Sequence, residues 1–410
     1  MRLFIFLPQL PYPPRSGGRI VTAPLVEGLA EKHEVHLFAL THGYEGESEG
    51  KEVLAKKVAS VSTARAYGKL DVRPLWGAAF SKDPYKVHRF WSPRLMREAA
   101  DLARRSPPDA VHCQNFYTAR YGKEIPSPRK VLYKENFETL LLERWAETTS
   151  KPLLPTLIGI EKKRTLRFEM ESCTWFDEVV TISQRDEKRL REASEGFPDT
   201  RRHFERHLRT VLPSIQIEYY DPQRVSGQPS PFPSDGRKHL IATGSFNYLA
   251  NVDGALWFAR EVLPQLPSAE FSFWLVGQQP DPAVQALHDP PHVYVTGSVP
   301  DVRPYFLHAD AAVVPLRIGG GIRLKILESL AMGCPLVSTS VGCEGLCSQE
   351  DPPRWLIADD SEEFAEAIHV ACTKSRDSEI LRTWVVERFS PDRFVGEMEM
   401  VYSLVSDRSE

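Results

Sequence analysis

Short apolar runs alternate with helical stretches along most of this 410-residue chain. Residues 3–7, ended by Pro8, predict a buried strand, residues 20–32 predict a helix, and residues 33–40 predict a second strand. Further strand-like runs are DAVHCQ, KVLYKE and EVVTIS, with helical stretches between them. Such alternation is typical of a parallel sheet covered on both faces. The sequence therefore predicts an α/β fold.

Residues 214–238 interrupt this alternation with proline, serine and glycine and no periodicity, which indicates a linker. A second alternating series begins with HLIATG and continues through EFSFWLVG, VYVTG and DAAVVPL. We therefore predict two Rossmann-like parallel-sheet domains, residues 1–213 and 239–385, that face each other across a cleft. Residues 386–410 are predicted as a C-terminal helix that crosses back to the first domain. Ligands of open parallel sheets bind beyond the carboxyl ends of the strands.

Charge and cysteine content exclude several classes of protein. The net charge of −4 provides no global attraction for nucleic acid, so no nucleic-acid partner is expected. The six cysteines form no C-x-x-C pair, so no zinc knuckle or dense disulfide framework is indicated. The first apolar run has only about five residues, whereas a signal peptide needs roughly 7–15 and a membrane span about 20. We expect a cytoplasmic protein.

Residues 317–337, RIGGGIRLKILESLAMGCPLV, form the most informative stretch. A predicted strand leads into three glycines, and a helix is predicted from about residue 322 to residue 332. At about 100° per residue, Gly321, Lys325 and Glu328 fall on one side of that helix, and the apolar residues fall on the other.

Two interpretations of this stretch stay open on spacing alone. Free N–H groups at a helix start and flexible glycines can hold an anion, which would offset the cost of placing cations there. Alternatively, Lys325 and Glu328 form a solvated ion pair worth about 0.2–0.5 kcal/mol, and the glycines only shape a loop. The pattern matches neither G-x-x-x-x-G-K-[ST] nor G-x-G-x-x-G.

A longer block around this stretch resembles the donor-binding half of family 4 glycosyltransferases of GT-B fold. The block is VTGSVPDVRPYFLHADAAVVPLRIGGGIRLKILESLAMGCPLVSTSVGCEGL, and ATGSFNYLANVDGALWFAREVLPQL is similar to the start of the same domain. Three further segments are similar to the acceptor half: LPYPPRSGGRIVTAPLVEGLAEKHEVHLFAL, KENFETLLLERWAE and DEVVTIS.

The resemblance implies a glycosyltransferase that moves a sugar from a nucleotide diphosphate donor, of UDP type, to an acceptor with retention of configuration. The chain has no D-x-D pair, the motif with which metal-dependent transferases of another fold hold their ion. No metal or other cofactor is therefore expected. A nucleotide sugar is the expected donor, and the acceptor is a small molecule, a glycan or a lipid-linked sugar.

The resemblance also implies roles for individual residues. Glu328 corresponds to the second glutamate of the E-x7-E motif, which binds the ribose hydroxyls. Arg323 and Lys325 would neutralise the diphosphate as it departs. The further donor-binding residues are Gly244, Ser245, Phe246, Ser298, Val299, Gly319, Gly320, Gly321 and Ile322.

On the acceptor side, Gly17 and Gly18 resemble the glycine turn that faces the diphosphate. A plain strand-to-helix turn is the alternative for these glycines. Asn136 and Glu138 align with the family's HN-x-E signature.

Two positions depart from the family pattern. The first glutamate of E-x7-E falls at Gly320, so the donor sugar loses a carboxylate partner. The family's frequent histidine falls at Glu135, which is either a carboxylate near the anomeric carbon or a residue without a catalytic role. Two alternatives therefore stay open: a nucleotide-sugar epimerase of the same fold, and a non-catalytic nucleotide-sugar-binding protein.

Residues 81–105 carry seven Lys/Arg against three acidic residues, with Tyr85, Phe90 and Trp91 between them. One hypothesis is an acceptor-binding or membrane-facing patch for an anionic lipid-linked sugar. The other is an ordinary solvated helix face.

Overall fold

The computed structural model describes residues 1–14, 17–68, 71–148, 154–319, 321–346, 353–373 and 378–404. The chain divides into two compact units: unit 1 comprises Met1–Ser214 and Pro391–Glu410, and unit 2 comprises Ile215–Ser390. The segment predicted as a linker therefore lies in unit 2 from its second residue onward. The end of the chain belongs to unit 1 from Pro391 onward.

The strands within the described residues are β1 (Arg2–Leu7), β2 (Glu34–Thr41), β3 (Ser60–Arg65), β4 (Ala110–Gln114), β5 (Arg129–Lys134), β6 (Glu178–Thr181), β7 (Leu208–Thr210), β8 (Lys238–Thr243), β9 (Phe271–Val276), β10 (Val293–Gly297), β11 (Ala311–Val314), β12 (Leu336–Ser338) and β13 (Leu356–Ile357).

The α-helices within the described residues are α1 (Gly17–Lys32), α2 (Glu47–Ala55), α3 (Val72–Ala79), α4 (Tyr85–Arg89), α5 (Pro93–Arg105), α6 (Ala119–Glu124), α7 (Glu138–Thr148), α8 (Leu154–Cys173), α9 (Gln184–Ala193), α10 (Pro198–His207), α11 (Leu249–Trp257), α12 (Pro282–Gln285), α13 (Arg303–His308), α14 (Leu324–Ala331), α15 (Ser361–Thr373), α16 (Ser378–Phe389) and α17 (Pro391–Ser403).

The sheet of unit 1 has the strand order β3-β2-β1-β4-β5-β6-β7, and its neighbouring strands pair in parallel. Helices cover both faces, so β1 is buried from Leu3 to Leu7 and its sequence is a continuous apolar run. The chain order changes direction between β1 and β4. The loops that follow these two strands therefore open at the carboxyl edge of the sheet, where ligands of such folds bind.

Unit 2 repeats this architecture with the strand order β10-β9-β8-β11-β12-β13, again with parallel pairing. Its direction changes between β8 and β11, so the loops after these two strands meet at the carboxyl edge. The two parallel sheets confirm the α/β class and the two alternating series predicted from the sequence.

The last helix, α17, packs on α1 within unit 1. A Cβ atom placed on Gly28 would lie 2.6 Å from Val395 Cγ2, so glycine allows the two helices to approach closely. Glu399 of α17 accepts hydrogen bonds from Lys32 and His33, each at 3.0 Å.

None of the helices within the described residues combines the length and the apolar character that a membrane span requires.

We predict that Gly28→Ala lowers the stability of unit 1 by about 1–3 kcal/mol, because the added methyl group overpacks the contact with Val395. Gly396→Ala is the matched control, since a Cβ atom on Gly396 of α17 would meet no atom within 4 Å. This second change should stabilise the protein by about 0.5–1 kcal/mol, through the helix propensity of alanine. Thermal unfolding of both variants measures the difference; equal midpoints would contradict the close contact.

Candidate functional site

At the carboxyl edge of the unit 2 sheet, Lys325 on the first turn of α14 lies against Gly244 in the loop after β8. Gly244 follows β8 with φ 148°, a conformation that favours glycine. Lys325 Nζ lies 3.0 Å from the position that a Cβ atom on Gly244 would occupy. The ammonium group donates a hydrogen bond to Asn251 Oδ1 at 2.9 Å. Glycine at position 244 is therefore needed both for the turn and to leave space for the lysine.

The surroundings of Lys325 disfavour its charge. Desolvation by burial lowers the pKa of the ammonium group to about 7, with a further lowering by Arg323 that Glu328 opposes. The charged form of this lysine is therefore less favoured near neutral pH than that of an exposed lysine. A lysine of this kind regains its charge when an anion binds beside it.

The helix that carries Lys325 begins later than the sequence prediction. The helix α14 starts at Leu324, and Arg323 precedes it with φ −92° and ψ 98°. Gly321 has φ 77°, which is incompatible with a right-handed helix. The expectation that Gly321 shares a helical face with Lys325 and Glu328 is therefore wrong, whereas Lys325 and Glu328 do lie three residues apart on α14.

The glycine turn before α14 lies under the Arg323 guanidinium. Gly319 has φ 136°, which favours glycine, and a Cβ atom there would displace the Arg323 guanidinium, whose Nη2 lies 1.9 Å from that position. Ile322 and Gly321 are half-buried. Gly320, the position of the altered glutamate, lies outside the described residues.

Glu328 accepts a hydrogen bond from the hydroxyl of Tyr220. Burial raises the pKa of the Glu328 carboxyl, and Tyr220 and Lys325 lower it in part. The main-chain carbonyl of Tyr220 accepts a hydrogen bond from Arg382 at 2.7 Å, and Arg382 also donates to Ala331, the last residue of α14. Sequence analysis missed Tyr220, because its segment has the composition of a linker.

The remaining donor-side residues of the prediction follow strands of the same sheet. Ser245 follows Gly244 and accepts a hydrogen bond from Gln278 Nε2 on its Oγ at 3.0 Å. The ring of Phe246 is buried in the core of unit 2. Its main-chain N–H donates to Gln278 at 2.9 Å, and its main-chain oxygen accepts from Asp281 at 3.0 Å. Ser298 is exposed and Val299 half-buried in the loop after β10.

The loop that carries Ser298 and Val299 continues into an ordered polar cluster. Arg303 Nη2 pairs with Asp301 at 2.7 Å, and its guanidinium lies 3.9 Å from the ring centre of Tyr219. Tyr219 precedes Tyr220, so the supposed linker reaches both this loop and Glu328.

In unit 1, the carboxylate of Glu135 is held by two amide side chains. Asn115 Nδ2 donates to Glu135 Oε2 at 2.9 Å, and Gln114 donates to the other oxygen. The main-chain N–H of Glu135 returns a hydrogen bond to Asn115 Oδ1 at 3.1 Å. Burial raises the pKa of Glu135, and the hydrogen bonds from Asn115 and Gln114 lower it in part. Gln114 is the last residue of β4 and Asn115 follows it, as Glu135 follows β5.

The predicted glycine turn lies next to this carboxylate. The helix α1 begins at Gly17, and a Cβ atom on Gly18 would lie 3.3 Å from Glu135 Oε2. Thr22 Oγ1 donates to the main-chain oxygen of Gly18 at 2.6 Å and accepts from Gln114 at 2.7 Å. The structure thus brings Gly18 and Glu135 together at the carboxyl edge of β1, β4 and β5.

Asn136 and Glu138 lie at the start of α7, where a buried carboxylate organises the backbone. Glu169 is fully buried and accepts hydrogen bonds from Lys134 Nζ at 2.8 Å and from the N–H groups of Glu138 and Thr139 at 3.2 and 3.0 Å. Glu138 is buried and pairs with the Lys86 ammonium. Asn136 is half-buried.

We predict that Glu169→Ala destabilises unit 1 by about 3–5 kcal/mol, because it leaves the Lys134 ammonium and several N–H and O–H donors without an acceptor. Urea unfolding followed by circular dichroism measures the loss. Glu171→Ala on the same helix is the control. Glu171 is exposed, and its ion pair with Arg167 is long, at 3.6 Å. That change should stay within about 0.5 kcal/mol.

We predict that Tyr220→Phe raises the pKa of Glu328, because the lost hydroxyl donates a hydrogen bond that stabilises the carboxylate. Carbon-13 NMR titration of glutamate side chains, assigned with Glu328→Gln, measures the shift. Tyr248→Phe, at a surface tyrosine that is 47% exposed, is the control. An unchanged Glu328 titration in Tyr220→Phe would refute the hydrogen bond.

Among the described residues, no three His, Cys, Asp or Glu side chains are grouped so that they could hold a metal ion.

Comparison with known proteins finds one matching family model and several solved structures of similar architecture. Residues 237–373 match the family model of glycosyl transferases group 1. HepE from Anabaena, solved in complex with UDP and glucose, is similar over 98% of this chain and 99% of its own, with 15% identity and a TM-score of 0.66. Sucrose-phosphate synthase from Thermosynechococcus elongatus is similar over 98% of both chains, with 15% identity and a TM-score of 0.68.

The catalytic domain of starch synthase IV from Arabidopsis thaliana, bound to ADP and acarbose, is similar over 100% of both chains, with 15% identity and a TM-score of 0.65. No curated protein sequence matches this chain. At such identities the solved structures establish the fold.

The solved structures establish a GT-B fold for this chain. Within that fold, residues 237–373 match the family model of the group 1 glycosyl transferases. The resemblance to GT-B glycosyltransferases stated from the sequence is thereby confirmed.

Proposed function

We propose that this protein transfers a sugar from a nucleoside diphosphate donor, with UDP as the nucleotide, to an acceptor, with retention of configuration and without a metal ion. The observation that carries the proposal is the partly desolvated Lys325 ammonium beside Gly244 at the carboxyl edge of the unit 2 sheet. Its hydrogen bond goes to a neutral amide oxygen, so its charge is left for a ligand. The UDP in HepE and the ADP in starch synthase IV support a nucleotide donor.

In this proposal Lys325 and Arg323 neutralise the diphosphate while its bond to the anomeric carbon breaks. The start of α14 adds the N–H groups and the dipole of a helix terminus. Gly244 and Gly319 keep the approach to these cations free of side chains. Gly320 and Gly321 would offer main-chain groups to the phosphate and the sugar.

Glu328, with the hydroxyl of Tyr220 on its carboxylate, would accept hydrogen bonds from the ribose hydroxyls. The hydrogen bond from Tyr220 supports this role because it favours the ionised carboxylate. Ser298 and Val299 would border the base through main-chain groups, and Ser245 would contact a phosphate.

In unit 1, Glu135 would place a carboxylate near the anomeric carbon, where it would stabilise the positive charge that develops as the bond to the diphosphate breaks. Retention requires the acceptor to attack from the face that the diphosphate leaves, so an oxygen of the departing phosphate would take the proton of the acceptor hydroxyl. The hydrogen bonds from Asn115 and Gln114 favour the ionised form of Glu135, and each of its oxygens keeps a second lone pair. Gly17 and Gly18 would contact the diphosphate, and Asn136 and Glu138 would orient the acceptor.

The test is incubation of the protein with several nucleotide sugars, with and without EDTA. Slow release of free nucleotide that EDTA does not change supports a metal-independent transferase. A 2-epimer of the donor sugar would indicate an epimerase, and binding without turnover would indicate a non-catalytic binding protein. Abolition by EDTA would contradict the metal-free mechanism.

We predict that UDP binding takes up protons at pH 8. Free Lys325, with a pKa of about 7, is mostly neutral there, and the diphosphate raises its pKa and draws a proton from the buffer. Calorimetry in Tris and in Hepes measures the uptake through the different ionisation enthalpies of the two buffers. Equal binding enthalpies in both buffers would show that Lys325 does not face the phosphates.

We predict that Lys325→Ala abolishes this proton uptake and lowers donor turnover by about 10²–10³-fold, as expected for the loss of one group that stabilises developing charge. Lys238→Ala is the matched control, because Lys238 begins β8 at the opposite edge of the same sheet. Wild-type turnover in Lys325→Ala would remove the role proposed for this lysine.

A further inference from the structure

Unit 1 contains a cavity of about 740 Å³ at the carboxyl ends of β2 and β3. A volume of this size suits a small ligand such as a sugar derivative. The carboxyl ends of parallel strands meet at one edge, so the cavity opens at the edge to which Gly18 and Glu135 belong. The roles proposed above leave this cavity unused.

The wall of the cavity is rich in positive charge. Its only described acidic side chain is Asp71, which pairs with Arg73 at 2.6 Å. The arginines that line the cavity are Arg65, Arg73, Arg89 and Arg94. Arg94 pairs with Glu98 of the same helix at 2.8 Å, so two arginines of the wall are already neutralised. The cavity therefore keeps a surplus of two cations.

Those two cations are Arg65 and Arg89. Within the described chain, neither guanidinium has a carboxylate at ion-pair distance. Arg65 is the last residue of β3 and is exposed. Arg89 is half-buried, and its Nε donates to the main-chain oxygen of Tyr67 at 3.2 Å, which anchors the side chain at the wall. A planar guanidinium can bind a phosphate or a carboxylate through two parallel hydrogen bonds.

Aromatic side chains complete the wall. Tyr44 is 57% exposed, and its ring is supported by the Arg19 guanidinium at 5.0 Å and by the His42 ring at 5.6 Å. Trp91 is held by stacking on Tyr121, with ring centres 4.7 Å apart. Desolvation lowers the pKa of His42, so this ring adds no charge at neutral pH. A wall of arginines and aromatic rings suits a ligand that combines an anionic group with a sugar ring.

We propose that this cavity binds the acceptor through an anionic group, a phosphate or a carboxylate, that Arg65 and Arg89 hold while Tyr44 contacts the acceptor's sugar ring. This inference rests on the proposed function, because it names the class of acceptor. The same chemistry serves a water-soluble sugar phosphate and the phosphate of a lipid-linked sugar. The cavity also accounts for part of the basic segment 81–105. Arg89, Trp91 and Arg94 line the cavity, whereas Arg104 pairs with Asp101 on the exposed face of α5.

The first arm of the test compares glucose 6-phosphate, glucuronate and glucose by calorimetry with excess UDP, so that the probes cannot occupy a nucleotide site. An anionic probe should bind the wild-type protein at least about tenfold more tightly than glucose. The double variant Arg65→Ala, Arg89→Ala should lose this preference. Arg97→Ala, an exposed arginine of α5 outside the cavity, should keep it.

The second arm measures flotation with phosphatidylcholine vesicles, with and without phosphatidic acid. Binding to phosphatidic acid that requires Arg65 and Arg89, without binding of the soluble probes, would assign the anion to a lipid-linked acceptor. The double variant Arg65→Lys, Arg89→Lys keeps the charge and should keep part of the preference, which separates loss of the anion site from loss of the fold.

The inference is overturned if neither the soluble probes nor the vesicles distinguish the wild-type protein from the alanine double variant. This outcome is separate from failure of the proposed function, which would appear as absence of UDP binding and of donor turnover in the wild-type protein.

Discussion

The proposed chemistry of unit 2 depends on one group, the Lys325 ammonium, which lies in a partly desolvated place beside Gly244. Lys325 reaches this place because Gly244 leaves room for it and Asn251 gives it a neutral acceptor. Burial and the neighbouring Arg323 then lower its pKa to about 7. An anionic ligand beside such a lysine would stabilise its charged form, so the site favours binding of a negatively charged group.

The parallel sheets explain why the residues concerned come together. In each unit the chain order changes direction at two central strands, β1 and β4 in unit 1 and β8 and β11 in unit 2. The following loops end at one edge, where backbone N–H groups and helix termini are available. Each unit brings polar groups together at the carboxyl edge of its own sheet. In unit 2 these are two cations and a glutamate. In unit 1 they are a carboxylate held by two amides and the arginines that line the cavity. Buried polar residues such as Glu169 keep the adjoining helices in position.

Much of this was accessible from spacing and resemblance, and the exceptions have physical causes. Lys325 and Glu328 were predicted as site residues because a glycine turn, two cations and an apolar helix face are visible within one short stretch. Tyr220 was not found, because composition described its segment as a linker although hydrogen bonds to Arg382 tie it to α14. The helix start was placed two residues too early, since spacing does not reveal the positive φ of Gly321.

The sequence by itself determined the alternation of buried strands and helices, the two parallel sheets and the chemical character of the glycine-rich turn, because these follow from periodicity and residue type within short windows. Only the tertiary structure decided which distant side chains share a site. Asn251 of α11 meets Lys325 of α14 across 74 positions, and Arg89 of α4 joins Arg65 of β3 in one cavity, because the helices and loops that follow different strands converge at one edge. Desolvation, and with it the pKa of Lys325, depends on everything packed around the group. A linear pattern does not contain that information.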